Sequence, residues 1–298
     1  TMRDRANIFR INPDKKYEEF ALHIPYWALN FEELLSVTFG DISNDTDRGG
    51  IIERIVEKKL EALKKNPKKG VNENALNVDT PVPFSIHQLW YELHCLIIST
   101  HLQTGNQSLA TIAFEKGADD QITDKGDAMS VRPPKCMPQD LSTSASPKVY
   151  LSQSRLNIRR PLEALAYKLR DSRYDFLFDP GDWLPDIDGK SKKDIDELLE
   201  KWLGGEKSIT ILDLSGIPRD ILNTLIGALL RIIYDALFWG RNISEGGRER
   251  PLLVVLEEAH AYLGKDDVGP AAEAVRRIVK EGRKYGIGAM IISQRPTE

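Results

Sequence analysis

Three apolar runs near the end of the chain constrain its fold most strongly. They are "SITILDL" (208–214), "LLVVL" (252–256) and "IGAMIISQ" (287–294), and helix-patterned segments lie between them. The first run is continuous and rich in β-branched residues, which predicts a strand buried on both faces. Strand and helix alternating at this spacing predict a parallel sheet with crossover helices. We expect the short strand at 6–13 to join the same sheet.

Helical patterns dominate the region before these strands. We predict helices that begin near Asn30 and that span 49–66, 85–102, 161–170 and 192–203. Residues 103–147 lack periodicity and are rich in Gly and Pro, which is typical of a functional loop or a linker. The predicted organisation is an α/β core from 1–30 and 205–298, interrupted by a helical insertion, 31–204, that contains the polar stretch 103–147.

Composition excludes several classes of protein. The 298 residues carry a net charge of -4, so any contact with nucleic acid must be local. Two distant cysteines, Cys95 and Cys136, provide neither a disulfide framework nor a zinc site, and we expect a reducing, cytoplasmic setting. The apolar segment 217–239 carries charged residues throughout. We therefore predict a core helix there and no membrane span.

Polar residues follow each of the three apolar runs. They are Asp213–Ser215, Glu257–Glu258 and Ser293–Arg295. Parallel sheets place ligands at the carboxyl ends of their strands, so these groups are expected to converge on one edge. An acidic pair beside a Gln and a Ser suits a magnesium-bound phosphate and an activated water.

Each of these features also has a simpler interpretation. Carboxylates at a strand end can cap the next turn or pair with an arginine. His260 is expected to pack rather than act as a base. The basic residues between Arg276 and Lys284 can form the solvated face of a helix.

The ordered combination of motifs is far more specific than its parts. It consists of "ITILDLSGIP", "LLVVLEEAHAYL" and "RRIVKEGRKYGIGAMIISQRP", preceded by "LRDSRYDFLFDP" at 169–180. This set resembles the HerA-type ATPases, in the HerA–FtsK branch of RecA-like motor proteins. The resemblance is strong over 205–298, moderate over 154–204 and weaker at 6–36. It implies a RecA-like parallel sheet with flanking helices and a large helical insertion.

The resemblance also implies roles for individual residues. Glu257 and Glu258 match the Walker B acidic pair, in which Glu257 supports Mg²⁺, usually through water, and Glu258 polarises the attacking water. Gln294 matches the polar sensor that contacts the γ-phosphate of ATP. Arg283, in "EGRKYG", matches the arginine offered across a subunit boundary, which accelerates hydrolysis by roughly 10³-fold or more.

Partners follow from the same resemblance. It implies a hexameric ring that uses ATP and Mg²⁺ to move along double-stranded DNA, together with a nuclease or another effector and, in some bacteria, in antiphage defence. Arg276 and Arg277 are alternatives for the arginine that acts across the boundary. Arg219 and Lys265 are candidate DNA contacts, or else ordinary surface residues.

One family motif does not occur in the sequence. No G-x-x-x-x-G-K-[ST] loop is present to hold phosphates. Either this loop lies upstream, as the abrupt start of the chain favours, or the protein is a degenerate ATPase. On either interpretation, we expect this chain alone not to bind ATP normally. A ring-forming scaffold that recruits a partner enzyme, and a conjugation or secretion ATPase, are the two alternative functions.

Overall fold

A computed structural model describes most of the chain. The described residues are 5–68, 70–103, 111–140, 148–152, 154–204, 207–242, 247, 249–263 and 269–294. They form two compact units. The first comprises 1–37, 179–183 and 193–298, and the second comprises 38–178 and 184–192. We call them the core unit and the insertion unit.

The elements of both units are numbered in chain order. The strands are β1 (Ala6–Arg10), β2 (Phe20–Ala21), β3 (Thr100–Gln103), β4 (Thr111–Ile112), β5 (Lys148–Leu151), β6 (Ile209–Asp213), β7 (Leu252–Leu256) and β8 (Ile287–Ile291). The α-helices are α1 (Phe31–Thr38), α2 (Asp45–Lys65), α3 (Ile86–Ile97), α4 (Arg159–Lys168), α5 (Asp175–Phe178), α6 (Ile195–Leu203), α7 (Arg219–Trp239) and α8 (Pro270–Glu281).

Parallel pairing in the core unit confirms the predicted α/β class. Strand β1 lies between β2 and β6 and is parallel to both, and β7 pairs in parallel with β8. The expectation of a single sheet was wrong for the described residues, in which β7 and β8 form a sheet separate from β2-β1-β6. Parallel order is a local consequence of the crossover helices, whereas strand neighbours depend on long-range contacts.

The prediction that the first apolar run, now β6, is buried on both faces was also wrong, and β7 has an exposed face as well. Ile209 and Ile211 of β6 are 42% and 44% exposed, and Leu253 and Val255 of β7 are 56% and 47% exposed. The other face of the β7–β8 pair packs on α7 and α8, where Leu256 joins the core. In β7 the less exposed residues alternate with exposed ones, whereas every residue of β6 is exposed or only partly buried.

Helices α7 and α8 form the layer beneath this sheet. Their shared core includes Ile226, Leu230 and Val275. A Cβ added at Gly227 would lie 2.6 Å from the backbone of Pro270, so glycine permits this close approach. The stretch Arg219–Asn242 is apolar and long enough to cross a membrane, but 67% of its most apolar window is buried within the protein, as in a core helix.

The insertion unit combines helices with a small antiparallel sheet. Strand β3 pairs with both β4 and β5. Asn44 caps α2 by accepting from the backbone N–H of Asp47, and Ser85 caps α3 by accepting from that of Gln88. The cap at Ser85 agrees with the helix start predicted at residue 85.

Several predicted boundaries required correction. The helix predicted at 85–102 ends at Ile97, and the chain then enters β3, because "STHL" supplies β-formers that pair with β5. Helix α2 begins at Asp45 rather than at residue 49. Apart from strand β4, the stretch 103–147 is irregular over 111–140, where isolated bridges such as Phe114 to Cys136 join its turns. Residues 104–110 and 141–147 of that stretch lie outside the described part.

Candidate active site

The β7–β8 pair aligns the two strand ends that carry the predicted site. Leu252 lies opposite Ile287, and Leu256 lies opposite Ile291. The pairing continues past the strands, since Ile292 donates its N–H to the carbonyl of Leu256 at 2.8 Å. Residues that follow the two strands are therefore held side by side.

This alignment brings Glu258 and Gln294 into direct contact. The Gln294 amide Nε2 donates to Oε1 of Glu258 at 2.6 Å, although the two residues are 36 positions apart. Both side chains are exposed, and that of Glu258 is 56% exposed. The contact leaves Oε2 of Glu258 open to solvent on one side and to His260, whose Nδ1 lies 3.5 Å away, on the other.

Glu257 presents its side chain to solvent while its backbone is anchored. The buried Tyr262 donates its hydroxyl to the Glu257 carbonyl at 2.8 Å. Burial, with Glu257 and Glu258 nearby, raises the pKa of the Tyr262 hydroxyl, so it stays a proton donor. The tyrosine thereby fixes the turn from which both glutamates project.

Asn223 of α7 ties this turn to the start of α8. Its Nδ2 donates to the carbonyl of Tyr262 at 3.3 Å, and its Oδ1 accepts from the N–H of Ala271 at 3.2 Å. Sequence reasoning missed both Asn223 and Tyr262. The tyrosine gave a signal as a polar aromatic just after the acidic pair. The role of Asn223 depends on contacts 39 and 48 residues away.

Asp213, at the end of β6, has local partners of its own. Its carboxylate lies 2.8 Å from Nη2 of Arg10 and accepts from the N–H of Ser215. Hydrogen bonding to Ser215, with Arg10 nearby, lowers the pKa of Asp213. The simple interpretation of a strand-end carboxylate therefore applies here. Because β6 and β7 are not paired in the described structure, it does not extend the Glu258–Gln294 edge.

Arg283 lies at the opposite end of β8 from Gln294. It belongs to a short turn, Gly282–Tyr285, that enters the amino end of the strand. The five residues of β8 span about 13 Å, at roughly 3.3 Å per residue. Arg283 is exposed, and no described residue forms an ion pair with it.

The two alternative arginines lie on the exposed side of α8. Arg277 lies over the ring of Tyr234, 4.2 Å from its centre, and 3.6 Å from Asp235. Arg276 also interacts within the chain. Arg219 is exposed at the start of α7, as the DNA-contact prediction requires. Lys265, the other candidate DNA contact, lies outside the described residues, as does Arg295.

The carboxylates of the site suit a metal ion whose other ligands are water and phosphate. Two adjacent exposed carboxylates, Glu257 and Glu258, are available, and no cluster of three or more metal-binding side chains occurs among the described residues. Mg²⁺ is commonly bound through one or two carboxylates, waters and substrate phosphates. The residues present therefore fit Mg²⁺ delivered with a nucleotide and do not form a protein-only metal cage.

Comparison with protein families shows a match over most of the chain. Residues 1–233 match the family model described as "Helicase HerA, central domain". This range includes β1, α1, the insertion unit and most of α7.

Curated relatives point in the same direction. The chain is 35% identical over 88 residues, 30% of its length, to the DNA double-strand break repair helicase HerA of Sulfolobus acidocaldarius. It is 31% identical over 100 residues to the protein of that name in Saccharolobus solfataricus, and 27% identical over 156 residues to a probable helicase of Methanocaldococcus jannaschii. These matches cover 18%, 20% and 27% of the relatives' own lengths, so the chain spans only a small part of each.

Proposed function

The chain belongs to the HerA family of DNA helicases, and on that premise we propose that it is part of an ATP-driven motor that translocates double-stranded DNA. The observation that carries the proposal is the hydrogen bond between Glu258 and Gln294 at the aligned ends of β7 and β8. A carboxylate and an amide held this way present an acceptor and a donor to the same small volume.

The chemistry assigned to these side chains follows from their types. Bound ATP and Mg²⁺ would supply the phosphoryl group and the charge that neutralises it. Glu258 accepts a hydrogen bond from the attacking water and orients it. Gln294 holds Glu258 in place and offers its amide to a phosphate oxygen. Glu257, one residue closer to the strand, is the carboxylate available to metal-bound water.

A ring of subunits is the second part of the proposal. Arg283 is separated from Gln294 by the length of β8, so an intact strand keeps it away from the site of its own subunit. An exposed guanidinium without a partner in the described chain is suited to a neighbour's γ-phosphate. A closed hexamer provides such a neighbour for each site.

Partners and setting are proposed on the family resemblance. We expect a nuclease or another effector to work with the motor, in the cytoplasm, and antiphage defence is one such use. A ring-forming scaffold with weak or no turnover is the competing function, because the sequence has no G-x-x-x-x-G-K-[ST] loop. ATP turnover by the full product of the gene that encodes this chain separates the two functions.

The test of the site is Glu258→Gln in the full gene product. The substitution keeps the shape of the side chain and removes the carboxylate that orients water. We expect ATP turnover to fall at least 100-fold while nucleotide affinity stays within about threefold. The matched control is Glu53→Gln on the exposed side of α2, which is expected to turn over ATP normally.

Two results would contradict the proposal. Near-normal turnover in Glu258→Gln would remove the residue from the chemistry. An unmodified gene product that assembles but shows no turnover, with or without duplex DNA, would favour the scaffold.

A further inference from the structure

One segment of the insertion unit has a charge opposite to that of the whole chain. Residues 155–173 contain six Arg or Lys and two Asp or Glu, a net charge of +4 in a chain whose net charge is -4. The remaining residues of the chain therefore carry a net charge of -8. A local positive region on an acidic protein indicates an anionic partner at that place.

The basic residues of this segment share a surface with an exposed aromatic ring. Arg160, Glu163 and Tyr167 of α4 follow at helical spacing, and Arg170 continues the series just beyond the helix. Arg160 and Arg170 are exposed, and Tyr167 is 60% exposed. The opposite side of α4 is buried through residues such as Leu162 and Leu165. We call this exposed face, with Arg159 and Arg173, the α4 surface.

Arg173 is held in position beside the exposed ring. Its Nε and Nη2 donate to the carboxylate of Asp171, and Nη2 also donates to the hydroxyl of Tyr167 at 3.1 Å. Hydrogen bonds from Arg173 lower the pKa of Asp171 to about 2, so the pair stays ionised at neutral pH. A guanidinium fixed by a fork of this kind loses little side-chain entropy when it binds another anion.

The surface is concave where the helix meets the following turn. An open cavity of about 660 Å³ lies there, and it is lined by Glu163, Ala166, Tyr167, Arg170, Asp171, Ser172 and Arg173. Arg170, one of the lining residues, is anchored by a hydrogen bond that its Nη2 donates to the carbonyl of Val131. Positively charged side chains around an accessible aromatic ring are suited to bind the sugar-phosphate backbone of a nucleic acid.

We propose that the α4 surface of the insertion unit binds the phosphate backbone of duplex DNA. This inference rests on the proposed function, which supplies DNA as the polyanion. Arg159 and Arg160 bind phosphates at one end of the surface and Arg173 binds at the other, with Tyr167 packed against the sugar-phosphate strand between them. The surface supplies affinity without sequence preference, since phosphates carry no sequence information.

The test measures DNA affinity rather than ATP turnover. The full gene product is titrated with a fluorescent duplex of mixed sequence at several salt concentrations, and anisotropy reports binding. Arg159→Gln with Arg160→Gln removes two exposed charges, and among the described residues it breaks only the weak 3.5 Å ion pair of Arg159 and Glu163. We expect binding about tenfold weaker and a slope of log K against log salt smaller by about 2.

Matched variants and competitors make the outcome decisive. Lys64→Gln with Lys116→Gln removes the same charge from exposed positions elsewhere in the insertion unit and is expected to bind as the unmodified protein does. An equal loss of DNA affinity in both double variants would overturn the proposed role of the α4 surface. It would show that affinity depends only on the total charge of the protein. Displacement of the duplex by polyglutamate at equal charge concentration would overturn it in favour of an acidic protein partner.

Failure of this inference is distinguishable from failure of the proposed function. Unchanged DNA affinity in Arg159→Gln/Arg160→Gln overturns the α4 surface while DNA binding stands. No DNA binding by the unmodified gene product, even at low salt, overturns both. Tyr167→Ala gives a second measure, because it leaves charge and salt slope unchanged and is expected to weaken binding a few-fold.

Discussion

Glu258 adopts a left-handed backbone conformation, with φ 50° and ψ 38°. A residue with a Cβ pays roughly 1 kcal/mol or more for this conformation, which must be offset by its surroundings. The hydrogen bonds from Ala259 N–H to the carbonyl of Ile292, and from Gln294 to Glu258, supply the local support. Strain at a solvent-facing carboxylate is typical of functional positions, which agrees with the role proposed for this residue.

Arg283 gives a prediction that depends on the distance along β8. Two inactive variants of the full gene product, Glu258→Gln and Arg283→Ala, are mixed in equal amounts under conditions that allow subunits to exchange. If Arg283 acts in a neighbour's site, about a quarter of the sites in mixed rings regain both groups, and ATP turnover returns in proportion.

A variant pair in which no recovery is possible serves as the control. Glu258→Gln mixed with the double variant Glu258→Gln/Arg283→Ala has no intact carboxylate and is expected to stay inactive. Absence of recovery in the first mixture, with exchange confirmed by labelled subunits, would place Arg283 in the site of its own subunit or outside the chemistry.

Helix α1 is attached to α7 through a largely buried ion pair. Arg231 of α7 contacts both carboxylate oxygens of Glu33 at 2.7 Å and donates to the carbonyl of Ala28, while Glu33 is 5% exposed. Glu33 also closes the start of α1, where its N–H donates to Oδ1 of Asn30 and its carboxylate accepts from the N–H of Asn30. One side chain therefore both caps the helix and fixes its place on α7.

This attachment predicts unequal costs for single and double changes. Arg231→Met leaves Glu33 buried without a cation and is expected to lower the free energy of unfolding by about 3 kcal/mol. Arg231→Met with Glu33→Gln removes the uncompensated charge and is expected to recover at least half of the loss. Urea denaturation measures the free energy of unfolding of the single and the double variant. The control is Arg54→Met at a half-exposed position, which is expected to stay within about 0.5 kcal/mol of the unmodified protein. Equal stability of the single and double variants would contradict a coupled pair.

At the scale of the whole molecule, the chain contains two compact units. The insertion unit encloses Lys59, which is 1% exposed and donates to the carbonyls of Val78 and Thr80 at 2.6 and 2.7 Å. Burial lowers the pKa of Lys59 from its ordinary 10.5 to about 7. A buried cation that joins a helix to a loop makes the stability of this unit depend on pH.

The sign of the dependence follows from proton binding. Below pH 7, Lys59 is protonated in both states and the cost of burying its charge is fully present. Between pH 7 and 10.5, only the unfolded state keeps the proton, so stability rises with pH by up to about 1.4 kcal/mol per unit. The effect of Lys59 is best measured between pH 7 and about 8.5. Burial raises the pKa of the Cys95 thiol, and this lowers stability as the pH rises above the ordinary thiol value of 9.0.

One tryptophan reports on this unit alone. Of the five tryptophans, Trp90 lies in the insertion unit and the other four lie in the core unit. Fluorine NMR of 5-fluorotryptophan-labelled protein in urea therefore follows the insertion unit through one resonance. We expect its unfolding midpoint to rise from pH 7 to 8.5, and Lys59→Met to abolish that rise, while Lys116→Met keeps it. A pH-independent midpoint in the unmodified protein would show that the buried amine is not the cause.

The sequence by itself determined the types of the main elements and indicated the residues that we propose for the site. Apolar runs followed by helical periodicity are local signals, so β6, β7 and β8 with α7 and α8 were predictable, and so were the two glutamates at the end of β7. The strand-forming start of β3 at Thr100 was not, because its conformation depends on pairing with β5, about 50 residues later.

Only the tertiary structure decided how those elements meet. It joined Glu258 to Gln294, left one face of β7 exposed, and placed Tyr262 and Asn223 behind the glutamates. These outcomes depend on contacts between residues far apart in the chain, whose free energies are small differences between burial, hydrogen bonding and conformational entropy. A local pattern specifies what a segment forms, whereas its neighbours are chosen by the packing of the whole unit.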